Sequence, residues 1–296
     1  MPKRTICIQN PARVSIHNAA LLIENNNGKF AIPLEDIWVV IIETHRAQIT
    51  TSALSSIVDS GIGLMLCGDD HMPNGLLLPL GAHSRHAAIV EDQLSISKPL
   101  QKRLWQRIVV QKIRNQAKVL DLIGENGNLV RKFTSQVLSG DSSNMESAAA
   151  SVYFRHYAPK GTRRNGPVTP PLDYGYAVLR AGVGRTGVSG GWLVSRGLHH
   201  SNNLNAFNLV DDLIEPFRPV VDLMVRKMGL EGDLDPQKRS QLASVFEIRV
   251  MVNGQLTSVQ HAIELEFDTL RDAVKSADYT LLSLPEVIPL AYVNQE

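Results

Sequence analysis

The sequence predicts an α+β protein, with a small N-terminal β-rich domain containing one helix and a larger all-α domain after it. Three observations predict this. Short runs rich in Ile, Val and Leu alternate with turn residues over the first eighty positions. Periods near 3.6 dominate beyond position 86, and 296 residues exceed one ordinary domain. The expected organisation is residues 1–80 as an N-terminal β-rich domain, 81–97 as a linker, and 98–296 as a C-terminal α-helical domain.

In the first domain, residues 5–9, 13–17, 21–24, 29–34 and 37–42 read as strands. Asn26-Asn27-Gly28 marks a hairpin between the third and fourth, because Asn and Gly tolerate the positive φ of tight turns. Residues 51–60 place Ala53, Leu54, Ile57 and Val58 at helical spacing and stop at Gly61, which suits a glycine C-cap. Residues 64–67 and 76–80 complete the strands, and 81–86 has linker composition. A helix then covers residues 98–118. At about 100° per residue, Arg103, Arg107, Arg114 and Lys118 share one stripe, while Leu104, Trp105, Ile108, Val109, Ile113 and Leu120 cover the other side. Further helices are expected at 129–138, 144–157, 174–195, 209–228, 237–251 and 259–276, punctuated by Gly140, Pro159, Gly197, Gly229 and Gly254.

Composition narrows the function classes. With 44 % hydrophobic and 20 % charged residues, the chain is neither disordered nor collagen-like. Its apolar runs, such as 37–42 and 76–80, fall far short of the roughly 18 residues that cross a bilayer. Lys3 and Arg4 look like the start of an export signal, but Gln9, Asn10 and Arg13 interrupt it, so a cytoplasmic location is expected. Cys7 and Cys67, each in an apolar run, read as buried reduced thiols. Trp38, Trp105 and Trp192 read as core rather than base-stacking platforms. The net charge of +1 hides an asymmetry. Residues 1–74 hold five basic against seven acidic side chains, whereas residues 98–118 hold Lys98, Lys102, Arg103, Arg107, Lys112, Arg114 and Lys118 with no acid, which points to a polyanion partner.

Among motifs, Gly182-Val183-Gly184-Arg185-Thr186-Gly187 has dinucleotide-loop letters but lies within a helical stretch, so it reads as close packing rather than a phosphate cradle. More informative is Gly197-Leu198-His199-His200, followed by an Asn-rich loop and Asp211-Asp212-Leu213-Ile214-Glu215-Pro216-Phe217-Arg218-Pro219. Asp212 and Glu215 are three apart on an expected helix, and Asp211 and Glu215 four apart, so either pair can share a face. Imidazole with clustered carboxylates suits Mn²⁺ or Mg²⁺. By spacing alone, the histidines also read as solvated and the acids as a solvent face or partners of Arg218. Glu146 opens a small-residue helix at 144–154.

Together, Glu146, Tyr174-Gly175-Tyr176, Gly197 to His200 and Asp212 to Pro219 resemble the CRISPR-associated integrases called the Cas-one family. The resemblance covers nearly the whole chain and implies the same two-domain fold. The loop 202–208 looks most like the versions that accompany a single-protein RNA-guided effector, the type II systems. By matching positions, the resemblance implies Glu146, His200 and Glu215 as metal ligands for Mg²⁺ or Mn²⁺, with Asp212 as an accessory catalytic acid. His200 rather than His199 follows from its place three residues after Gly197. Asp173 stands where the family often has Asn before its Tyr-Gly-Tyr.

The resemblance also implies an activity: insertion of captured DNA fragments into a repeat array, the fragment's 3′-hydroxyl attacking a phosphodiester, with water in its place giving endonuclease activity. Implied partners are DNA, a second copy of the chain in a homodimer through the dimerisation domain 1–80, and a second CRISPR-associated adaptation protein, with the RNA-guided effector a further candidate; residues 98–296 would be the catalytic and DNA-binding domain. Lys102, Arg103, Arg107, Arg114 and Lys118, with Arg163 and Arg164 in a Gly/Pro-flanked loop, are the expected DNA grip. Two other classes compete: a non-catalytic DNA-binding scaffold whose glutamates pair with arginines, and a metal-dependent phosphohydrolase of small molecules, which leaves the basic helix unexplained.

Overall fold

The computed structural model describes residues 3–79 and 83–293. The chain divides into two compact units, residues 1–84 and 85–296.

Unit one holds two four-stranded sheets. β1 (Arg4–Ile8), β5 (Ile37–Ile42), β7 (Gly63–Cys67) and β8 (Pro73–Leu77) form one, in the order β1-β5-β7-β8. β2 (Ala12–His17), β3 (Ala20–Asn25), β4 (Gly28–Pro33) and β6 (Ala47–Ile49) form the other, in the order β4-β3-β2-β6. β5 pairs in parallel with both β1 and β7, and all six of its residues are buried. Such a central strand must be apolar throughout, as Ile-Trp-Val-Val-Ile-Ile is. The β3–β4 turn is Asn26-Asn27, with Asn25 facing Gly28 across the hairpin and the Asn25 side chain accepting from the Asn27 amide at 2.8 Å. α1 (Thr51–Asp59) is N-capped by Thr50 and buries Ala53 and Ile57.

Three expectations for this part change. β6 was not foreseen; its three residues include a polar Gln48 and find strand geometry only by pairing with β2. β8 begins earlier than expected, and Leu80, like residues 81 and 82, lies outside the described residues. Cys67 is buried as expected, but Cys7 is only half-buried. All three tryptophans are buried, as expected.

Unit two is mostly helical. α2 (His86–Leu94) occupies much of the stretch expected as linker, anchored by the Gln93 amide donating to the Leu193 and Arg196 carbonyls. The 25-residue α3 (Lys98–Leu122) follows, N-capped by Ser97 with Pro99 in its first turn. Then come α4 (Asn128–Arg131), continued by a 3₁₀ stretch to Gln136, α5 (Met145–Tyr157) and α6 (Thr169–Ser189). α7 (Asn208–Leu213), α8 (Arg218–Lys227), α9 (Pro236–Ala243) and α10 (Val259–Ser276) complete the helices. α6 crosses α8 closely at Gly175, where a Cβ would lie 2.5 Å from a Val221 methyl.

Unit two is not all-α. β9 (Arg249–Val252) and β10 (Gln255–Ser258) form an antiparallel hairpin where the expected helix 237–251 ends. Asn253 and Gly254, with φ of 50° and 78°, make its turn. The expected helix 209–228 is two helices, because neither Pro216 nor Pro219 has an amide hydrogen to donate to a continuing helix, and Pro219 sits instead in the first turn of α8. Residues 281–293 pack against this unit, with Tyr292 bridged to Ile248 and Glu286 to Met251.

Candidate active site

Three elements carry the candidate residues. Glu146 stands in the first turn of α5, and Asp141 places it there by accepting from the backbone amides of Met145 at 2.8 Å and Glu146 at 3.0 Å. Glu215 stands in the turn between α7 and α8, not on a helix as expected. Asn115 of α3 fixes that turn: its side-chain amide donates at 2.8 Å to the Pro216 carbonyl and at 2.8 Å to that of Pro285. His200 lies in the loop before α7.

Asp212 organises that loop. Fully buried, it accepts from the backbone amides of Leu198, His199 and His200 at 2.6, 3.0 and 3.1 Å, and from His200 Nδ1 at 2.7 Å. An ionised carboxylate only accepts, so Nδ1 carries the proton and Nε2 is left as the ring's donor atom for a ligand. Four accepted bonds use up the carboxylate's lone pairs. Asp212 therefore reads as a positioning residue rather than the accessory catalytic acid that the resemblance implied. Gly197 is required beside it, since a Cβ there would overlap the His200 carbonyl oxygen and the Asp212 carboxylate.

The structure distinguishes the two histidines. The His199 ring stacks flat on Trp105, 4.4 Å away at 4°, whereas His200 meets Trp105 edge-on at 5.7 Å and turns its Nδ1 to Asp212. The Asp212 hydrogen bond holds the His200 pKa above its usual value, with burial opposing. Asp211 is engaged elsewhere, by Arg180 Nε at 2.6 Å and Asn205 at 2.6 Å, which removes the Asp211–Glu215 pairing weighed from spacing.

Glu146 and Glu215 meet on a cation. Lys112 Nζ contacts Glu146 Oε1 at 2.5 Å and also Glu215 Oε2, while Arg218 Nε lies 3.1 Å from Glu215 Oε1. Burial opposes ionisation of Glu215, but Arg218 and Lys112 outweigh it and hold its pKa below the usual range. Lys112 is likewise opposed by burial, yet Glu215 and Glu146 raise its pKa. Arg218 also stacks 4.9 Å over Tyr176, the same ring that Arg163 covers at 4.9 Å, so the Tyr-Gly-Tyr element reaches Glu215 through Arg218.

Among the described residues, no three His, Cys, Asp or Glu side chains gather closely enough to form a ready-made metal cage. The donors nevertheless suit a hard divalent ion by kind, and the ammonium between the two carboxylates shows that the pair is built around positive charge.

The expected DNA grip divides. Lys102, Arg103, Arg114, Lys118 and Arg164 are exposed. Arg103 also lies 5.8 Å over Tyr279, and Arg107 is half-buried, its Nε donating to the Leu282 carbonyl at 2.7 Å. Arg103, Arg107 and Arg114 line a cavity of about 370 Å³ with Tyr279. Arg163 pairs with Asp173 at 2.6 Å, which gives that Asp a role of its own. Lys112, Asp141 and Asn115 were missed as site residues. For Lys112 a signal existed: it is the one cation in the middle of α3 that falls on the apolar side.

Comparison with known proteins gives the context. Residues 6–253 match the family described as CRISPR associated protein Cas1. The chain is 39 % identical over 304 residues to the CRISPR-associated endonuclease Cas1 of Neisseria meningitidis serogroup C (strain 8013), covering 100 % of both chains. It is 27 % identical to a CRISPR-associated endonuclease Cas1 2 of Saccharolobus solfataricus, over 95 % of this chain and 94 % of that one. Among solved structures, a casposase bound to integration product has a TM-score of 0.75 at 15 % identity, covering 95 % of this chain and 93 % of that one. A CAS1 protein from Thermotoga maritima has a TM-score of 0.72 at 15 % identity, covering 92 % and 97 %. At 15 % identity such likeness speaks for the fold alone. The family match and the full-length identity together make this chain a member of the CRISPR-associated Cas1 family.

Proposed function

We propose that this protein is a divalent-metal-dependent DNA endonuclease and integrase that inserts captured fragments as new spacers into a repeat array. The observation that carries the reading is the convergence of Glu146 and Glu215, 69 positions apart in sequence, on one cation, beside a His200 ring oriented by Asp212. Glu146, His200 and Glu215 would hold Mg²⁺ or Mn²⁺, which supplies Lewis-acid activation of a phosphodiester. Around it, the chain's residues orient and position. Asp212 fixes the histidine loop, Asp141 the start of α5, and Asn115 the Glu215 turn. In the joining step the fragment's 3′-oxygen forms a bond to phosphorus at the repeat's edge, and the repeat strand's own 3′-oxygen leaves and takes up a proton. With water as nucleophile, the same exchange is hydrolysis.

The proposed working form is cytoplasmic: a homodimer through unit one, joined to a second adaptation protein and to DNA, with the effector of a type II system a further partner. In support of a second adaptation protein, a Cas6-RT-Cas1–Cas2 complex is similar in fold to this chain.

A second reading has an observation in its favour. Both glutamates are already paired with basic side chains, as a non-catalytic DNA-binding scaffold would have them. Joining of a labelled fragment to repeat DNA, in Mn²⁺, Mg²⁺ or chelator, separates the two. Glu146→Ala and Glu215→Ala should each lower joining by about 100-fold or more, the loss of several kcal/mol of transition-state stabilisation. Folded variants that join at the parental rate would refute the assignment.

A further inference from the structure

Lys112 is 8 % exposed, in the middle of α3. A buried lysine needs a partner, but one carboxylate would suffice. Lys112 has two, from α5 and from the Glu215 turn, and two carboxylates this close repel each other unless a positive charge stands between them. Each Glu215 oxygen faces a cation in an ion pair, Oε1 with Arg218 and Oε2 with Lys112. The two cations are not equally replaceable. Arg218 is planar and stacked on Tyr176, whereas the lysine head sits on a flexible four-carbon stem.

We propose that Lys112 is the resident counter-ion of the Glu146–Glu215 pair, holding the place of a divalent cation and withdrawing when one binds. This inference rests on the reading of those glutamates as ligands. It accounts for the lack of a three-donor cage among the described residues: the ammonium stands where the donors would otherwise close. It also gives the metal-free protein a way to keep α5 and the Glu215 turn together.

The test is Mn²⁺ binding by the full chain without DNA, followed by electron paramagnetic resonance of the unbound ion, together with melting temperatures in chelator and in Mn²⁺. Lys112→Met should bind Mn²⁺ about tenfold or more tightly than the parent, since a charge competitor is gone. It should also melt lower in chelator and gain more from Mn²⁺. If Lys112→Met unfolds in chelator, refolding on Mn²⁺ addition supports the proposal, and Lys112→Gln repeats the titration in a milder background. Binding unchanged or weakened in folded Lys112→Met, while Glu215→Ala abolishes it in the parent, overturns the counter-ion role and leaves the ligand reading intact. No Mn²⁺ bound by either parent or Lys112→Met overturns both.

Discussion

Asp222 is a carboxylate surrounded by phenols. It is 1 % exposed; Tyr153 donates to Oδ2 at 2.7 Å, Tyr176 donates to Oδ1, and Tyr157 donates to its carbonyl at 2.9 Å. Burial pushes its pKa from 3.8 up to about 6, against the pull of the Tyr176 and Tyr153 hydrogen bonds. A folded pKa above the unfolded one means that the fold holds the proton more tightly. The stabilising contribution is therefore full below about pH 4 and is lost as pH rises through about 6. Relative to Asp222→Asn, the parent should lose roughly 2 kcal/mol between pH 4 and pH 6.5, read from denaturant midpoints across that range. A difference between the two that is flat with pH would exclude this role. Residues of this kind were not legible beforehand. Glu146, His200 and Glu215 are polar groups in a recognisable order, but Asp222, Lys112, Asp141 and Asn115 gain their roles only from partners brought by other elements.

At the scale of elements, α3 has two working faces. Lys112 comes nine positions after Arg103, which at about 100° each places them about 180° apart round the helix. Trp105 and Lys112 therefore meet the histidine loop and the glutamates, while Arg103, Arg107 and Arg114 line the cavity with Tyr279 on the other side. Arg103→Ala with Arg107→Ala should weaken duplex affinity and flatten its dependence on salt, because fewer counterions are released. Titrations at several salt concentrations that overlay those of the parent would remove the stripe from the DNA grip. The periodicity of α3 was legible because its stripes are wide. The β9–β10 hairpin was signalled too, by Asn253-Gly254 and the alternation Arg249-Val250-Met251-Val252, but three of those four residues also fit a helical run. The break at Pro216 and Pro219 carries its own mark, since neither proline can supply an amide to a continuing helix.

At the scale of the whole molecule, the β-rich start and helical remainder were readable because a fully buried strand such as β5 and a long amphipathic helix such as α3 have distinct periods. The path of residues 281–293 was not, since it depends on bonds to distant carbonyls and amides. Asn115 gathers three of them: it donates to Pro216 and Pro285 and accepts from the Val287 amide at 3.1 Å. Asn115→Ala leaves the Pro216 carbonyl and the Val287 amide unpaired, while Gln111 still donates to Pro285 at 3.1 Å, and should cost about 2–4 kcal/mol in unit two, measured by denaturant unfolding; a cost near zero would mean that the fold holds the segment without it. The opposed faces of α3 bear on any polymer that uses both. The sides of α3 between the arginines and Lys112 are buried, so a strand lying along the arginines has at least the roughly 10–12 Å width of a packed helix between it and the carboxylates. On the proposed reading an oligonucleotide too short to span that separation can touch one face at a time.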